Sequence, residues 1–209
     1  MMSSIPLLTP EDCAVVLIDE QAGLAFATGS ADRQVLRSNA VALARTAVAF
    51  GIPTVVSTSA SKVYSGPMMP ALRAVLPDIV PIERRNMNLW EDAAAQAAII
   101  ATGRKTLVVA GLLTEACVSF PVLSALAEGY KVFVVADACG GLTPASHEAA
   151  LRRMEQAGAV MTSWLQFLLE MQRDWTRHDT YEAARGIVAE HGGGYGIGLD
   201  YARDMIKPA

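Results

Sequence analysis

The stretch Thr106-Leu107-Val108-Val109-Ala110-Gly111-Leu112-Leu113-Thr114-Glu115-Ala116-Cys117-Val118 decides the fold of this chain. Its first half is short, apolar and β-branched on both faces, which describes a strand buried inside a parallel sheet. A glycine turn follows, and then a helix predicted over Glu115 to Glu128, closed by Gly129. Cys117 falls in the first turn of that helix. Backbone N–H groups and the positive end of a helix dipole lower a thiol's pKa there and can hold a developing oxyanion. A buried free cysteine that only fills space is the competing reading.

The same strand-to-helix grammar recurs on either side. Cys13 to Ile18 forms a two-sided apolar strand ending in Asp19-Glu20-Gln21, and Val35 to Phe50 carries apolar residues at helical spacing up to Gly51. Strands are predicted at Pro53 to Ser57, Ile79 to Ile82 and Lys131 to Ala136. Helices are predicted at Met69 to Leu76, Asp92 to Thr102 and His147 to Ala157. Strands alternating with helices give a parallel sheet covered on both faces, and right-handed crossovers make it a doubly wound three-layer α/β/α sandwich, Rossmann-like, with a mostly parallel central sheet. The last fifty residues show helices at Trp164 to Met171 and Tyr181 to His191, a Gly192-Gly193-Gly194 break and a final segment from Asp200 to Ile206. No strand is evident there. A domain over residues 1–175 and a helical appendage over 176–209, packed on the domain or on a neighbouring subunit, is the expected organisation.

Composition narrows the function. The 209 residues suffice for one substantial core, and 52% hydrophobic against 18% charged residues argues for a folded globule. With 17 basic against 21 acidic residues and no basic run longer than a pair, nucleic acid is not the expected partner. The apolar runs are too short to span a bilayer and no secretory leader is evident, so a cytoplasmic protein is expected. Three cysteines, Cys13, Cys117 and Cys139, are an odd number without a Cys-x-x-Cys pair, and His147, His178 and His191 are far apart, so neither a disulfide framework nor a metal site is expected. Cys13 opens a strand and Cys139 is placed in a loop; both read as structural.

Ligands in doubly wound folds bind beyond the carboxyl ends of the strands. Asp19, Arg84 and Cys117 each follow a predicted strand and so converge on one rim. A carboxylate there can take a thiol's proton and return it to a leaving group, while Arg84 supplies fixed positive charge and no proton transfer. Alternation turns Glu20, the competing base, away from Asp19. Asn86, Asn88 and Trp90 follow Arg84 and offer amides and an apolar wall to a substrate.

These residues resemble the isochorismatase-like cysteine hydrolases, a superfamily that includes nicotinamidases and N-carbamoylsarcosine amidases. Val15-Val16-Leu17-Ile18-Asp19-Glu20-Gln21 resembles the family's opening strand and catalytic aspartate, and Val108 to Ser119 its nucleophile motif. Asn86 to Asp92, Pro121 to Tyr130, Ala136 to Gly140 and the tail around Trp175 resemble the YcaC-related branch of oligomeric hydrolases. The resemblance implies Cys117 as nucleophile, Asp19 as base, and Arg84 where the family usually has lysine. It implies a cis Leu112–Leu113 peptide, an oxyanion hole from the N–H groups of Leu113 and Cys117, and a pocket that includes Gln21 and Thr114. Nicotinamidases carry an Asp/His metal site after the second strand; Ser57 to Tyr64 has neither residue. Isochorismatases proper cleave a vinyl ether without cysteine, so the complete Cys117 motif points to a small, non-peptide amide as substrate, with no cofactor. A homo-oligomer, with an octamer as first expectation, is implied too. A redox or ligand-binding thiol protein and a purely structural oligomer are the alternatives.

Overall fold

The structure, a computed structural model, describes residues 7–206; the expected outer bounds, 1 and 209, lie outside them. Its centre is a six-stranded sheet, wholly parallel, in the order β3-β2-β1-β4-β5-β6. The strands are β1 (Cys13–Ile18), β2 (Thr54–Ser59), β3 (Ile82–Arg84), β4 (Thr106–Leu112), β5 (Lys131–Gly140) and β6 (Val160–Thr162). β1 and β4 are buried along their whole length, as central strands with both faces covered must be. The α-helices among the described residues are α1 (Ala22–Ala27), α2 (Arg33–Ala49), α3 (Pro70–Val75), α4 (Ala93–Ala101), α5 (Ser119–Ala127), α6 (Pro144–Gln156), α7 (Trp164–Gln172), α8 (His178–His191) and α9 (Gly194–Met205). α2 packs with α3, α7 and α8 on one side of the sheet, and α5 packs with α6 on the other.

The order places the reversal of winding between β1 and β4. From β1 the chain moves outward through β2 to β3, crosses back through α4 to β4, and then winds outward the other way. The crevice where ligands bind in such sheets therefore opens between the carboxyl ends of these two adjacent strands. Gly111 makes the approach possible: a Cβ there would stand 2.0 Å from the carbonyl oxygen of Ile18.

Several elements differ from the sequence expectation. β3 runs from Ile82 to Arg84, later than Ile79 to Ile82, because Pro81 has no N–H to give a ladder and pairing with Ser57–Ser59 starts beyond it. Arg84 thus ends the strand instead of following it. β5 continues to Gly140 after a register irregularity opposite Val109 and Gly111, which puts Cys139 in the strand and not in a loop. β6, only three residues on the sheet edge, is too short to carry a periodic signal. α6 starts at Pro144, where Thr143 and Ser146 form a capping box, three residues before His147. The triple glycine does not interrupt the tail as far as Asp200: α9 begins at Gly194.

Candidate active site at the carboxyl ends of β1 and β4

Asp19, one residue past β1, is fully buried and takes a positive φ of 55°, unusual for a residue with a side chain. Its Oδ2 accepts from Ser59 Oγ at 2.9 Å and from Arg84 Nη2 at 2.5 Å, while its Oδ1 has no hydrogen-bond partner among the described residues. Arg84 is itself 2% exposed and also donates to the carbonyl of Asn86. The pair is a buried ion pair, so each charge depends on the other to offset the loss of water. Burial pushes the Asp19 carboxyl above the ordinary carboxylate range, and the guanidinium and the Ser59 hydroxyl pull it back.

Cys117 comes to the same place from β4. After a cis Leu112–Leu113 peptide the chain makes a single π-helical turn, Thr114–Val118, and only then enters α5. The thiol is therefore carried on a wide turn preceding the helix and not in the first turn of the helix itself. The carbonyl of Leu113 takes the N–H groups of Ala116 and Val118, on either side of Cys117. Cys117 is partly exposed, whereas Cys13 and Cys139 are buried. Burial and the Asp19 carboxylate push its thiol above the ordinary value, against the lowering expected from a helix start; Arg84 opposes them. The thiol therefore rests protonated, beside a carboxylate with an unused oxygen. Burial raises Cys13 further, to about 12, and raises Cys139 as well.

The other expected pocket residues divide. Gln21 is buried and braces the crevice, accepting from the N–H of Ser59 at 2.9 Å and donating to the carbonyls of Ser59 and Gly66. Thr114 is buried and pairs with His147 at 2.8 Å. Asn86 is exposed and serves Arg84 through its backbone. Asn88 caps the 3-10 turn Leu89–Glu91, accepting from the N–H of Trp90 and donating to Glu91 and Ser124. Trp90 donates its indole N–H to Glu128 at 2.7 Å and meets Tyr130 edge to face at 5.1 Å. The side chains of Asn88 and Trp90 are thus engaged with α5 and the turn after it. Ser59 carries no signal in the sequence: it lies two residues beyond the predicted strand end, and only the extension of β2 brings its hydroxyl to Asp19. A groove of about 370 Å³ lined by Asp12, Arg104, Thr106 and Lys131 lies at the amino ends of the strands, away from these residues. Among the described residues, no group of three or more His, Cys, Asp or Glu side chains is placed to hold a metal ion.

A doubly wound parallel sheet with this site at its switch point agrees with the sequence match: the chain belongs to the isochorismatase family of hydrolases, whose domain model covers residues 13–166. Among its relatives, the probable hydrolase YcaC of Escherichia coli (strain K12) is 40% identical over 169 residues, 80% of this chain and 81% of that protein. The crystal structure of the E. coli YcaC gene product, described as an octameric hydrolase of unknown specificity, superposes with a TM-score of 0.92 at 36% identity over 99% of this chain and 100% of that one. YcaC from Pseudomonas aeruginosa, in a structure with hexane-2,5-diol and covalent acrylamide, gives 0.90 at 36% identity over 95% of this chain and 98% of that one. Among the described residues, no helix is long and apolar enough to cross a membrane.

Proposed function

We propose that the protein hydrolyses a small, non-peptide amide through a thioester on Cys117, with Asp19 as general base. The observation that carries this reading is the partly exposed Cys117 thiol, which lies in the field of the buried Asp19 carboxylate and the Arg84 guanidinium, with Asp19 Oδ1 left without a hydrogen-bond partner among the described residues. Asp19 takes the thiol proton as sulfur attacks the amide carbon. The N–H groups of Leu113 and Cys117 hold the oxyanion, and collapse expels the amine, which receives that proton from Asp19. Water, deprotonated by Asp19, then attacks the thioester; the acid leaves and the proton returns to sulfur. Arg84 keeps Asp19 oriented and ionised and transfers no proton. Gln21 and Thr114, both fully buried, brace the walls of the substrate site from within.

The P. aeruginosa relative's covalent acrylamide supports the chemistry, since acrylamide is both a small primary amide and an electrophile toward thiols. A thiol pushed up by its surroundings also fits activation during attack better than a standing thiolate awaiting oxidation. The octameric E. coli relative supports a homo-oligomer, and we place the exposed apolar residues of α9 in its contacts. Treatment with acrylamide followed by peptide mass spectrometry is expected to give one adduct, on Cys117. Ammonia release from a panel of small primary amides is expected to fall by at least about a hundredfold in Cys117→Ala. Ammonia release that survives Cys117→Ala overturns the mechanism.

A further inference from the structure

The π-helical turn that carries Cys117 is fastened at its beginning to a part of the molecule outside the Asp19–Arg84–Cys117 cluster. Thr114, its first residue, is fully buried, and its hydroxyl has one hydrogen-bond partner among the described residues, Nδ1 of His147 at 2.8 Å. Glu115, the second residue, turns its carboxylate to the start of α6: Oε1 accepts from the N–H of Leu142 at 2.9 Å and from Ser146 Oγ at 3.1 Å. Gly141 closes the same contact, since a Cβ there would stand 2.7 Å from Glu115 Oε2 and 2.9 Å from the Cβ of His147. The loop is held from behind as well, where the carbonyl of Gly141 accepts from the N–H groups of Gly29 and Ser30.

A buried hydroxyl must give its proton to an acceptor, and for Thr114 the acceptor in reach is the imidazole nitrogen. That fixes the tautomer: Nδ1 accepts and Nε2 carries the proton. Protonated, Nδ1 becomes a donor, and the Thr114 hydroxyl loses its acceptor. The charges acting on the ring come from Glu115 on the turn and Glu148 on its own helix, and both favour the cation; burial favours the neutral ring and outweighs them. The neighbouring segments, residues 28–30 and 141–143, present no titratable side chain. The neutral ring, and with it the fastened turn, is therefore the form present near pH 7.

We propose that His147 is a positioning residue for Cys117: by accepting the Thr114 hydroxyl it fixes the start of the turn that aims the thiol at Asp19, and its protonation loosens that aim. The proposal rests on the reading of Cys117 as a nucleophile. It adds to that reading a second proton-dependent step, separate from the ionisation of the Asp19–Cys117 pair. A displacement of about 1 Å at a reacting atom is enough to slow a reaction by about a hundredfold.

The test is the second-order rate of acrylamide addition to each cysteine, by peptide mass spectrometry, between about pH 5 and pH 9, with folding followed by circular dichroism. In Thr114→Val and His147→Ala the Cys117 rate is expected to fall roughly tenfold to a hundredfold. Thr114→Ser, which keeps the hydroxyl, and His147→Asn, which keeps an acceptor oxygen that does not titrate, are expected to restore most of it. His147→Asn is also expected to remove the added loss of rate that the wild type shows on the acid side. If Cys117 labels fast in the wild type and equally fast in Thr114→Val and His147→Ala, the positioning role is overturned and the nucleophile reading stands. If Cys117 in the wild type labels no faster than Cys13 and Cys139, both fall together.

Discussion

Glu20, next to Asp19 in the chain, takes no part in the proposed chemistry. It is 1% exposed, and both carboxylate oxygens lack a partner among the described residues. The buried guanidinium of Arg84 pairs with Asp19 and not with Glu20. Burial, and after it the charge of Asp19, pushes Glu20 up to about 8 from its ordinary 4.5, so Glu20 is largely protonated at pH 7 and Asp19 keeps Arg84. Unfolding returns Glu20 to water, where it releases its proton near 4.5. Between these two pH values folding takes up a proton, so this group makes the folded protein less stable as pH rises, with no further loss above about 8. A neutral isostere escapes the effect. Glu20→Gln is expected to gain thermal stability over the wild type as pH rises from about 5 to 8, by a few kcal/mol at the upper end, or on the order of 5–10 °C in Tm. Parallel Tm profiles for the two proteins across that range would show that Glu20 is already ionised in the fold.

Among the elements, the connections on the α4–α5 side of the sheet show how short segments are held in place by side-chain caps. Asn88 starts the 3-10 turn, and Asp92 both ends it and starts α4, accepting from the N–H groups of Ala94 and Ala95 at 3.1 and 3.0 Å. These caps satisfy backbone donors that the helix itself leaves free. Asp92 is half-buried, and its Oδ1 serves the first turn of α4. Asp92→Ala is expected to cost about 1 kcal/mol, seen as a Tm lower by about 2–4 °C, with the acrylamide labelling rate of Cys117 unchanged. A slower Cys117 would mean that α4 positions the loop after Arg84 as well as covering the sheet. The cap at α6 differs in kind. The capping box of Thr143 and Ser146 orders the helix start, and Ser146 reaches on to Glu115, so one hydroxyl serves both the helix and the turn bearing the thiol.

For the whole molecule, the tail divides by how it is buried. α8 lays Ala184, Ile187 and Val188 into the core and packs along α2, so it belongs to the body of the fold. α9 buries little of itself and leaves Tyr195, Ile197, Tyr201 and Met205 exposed, and Trp175 joins Tyr181, Arg185, Tyr195 and Leu199 in lining a cavity of about 240 Å³. So many large apolar side chains on one short helix describe a surface suited to contact with another subunit. A chain ending at Gly193 is expected to keep the fold, by circular dichroism, and to run as a smaller species than the full chain by light scattering. An unchanged assembly would place the subunit contacts elsewhere.

The alternation of apolar runs and glycine-closed helices determined by itself that this chain forms a doubly wound α/β sheet, because two-sided β-branched strands can be buried in few other ways. It also put Asp19, Arg84 and Cys117 on one rim, since each lies at or just past a strand's carboxyl end. Tertiary structure decided what periodicity cannot carry. Pro81 moved β3 along the chain, so that Arg84 closes the strand; pairing with a neighbour created β6 and extended β5 past Cys139 to Gly140. Burial reversed the expected direction of the Cys117 thiol, because local sequence reports a helix start but not the loss of water around it or the carboxylate brought up from a strand about a hundred residues away. The bonds from Ser59 to Asp19 and from Thr114 to His147 join residues 40 and 33 positions apart, and only the folded sheet brings them within reach.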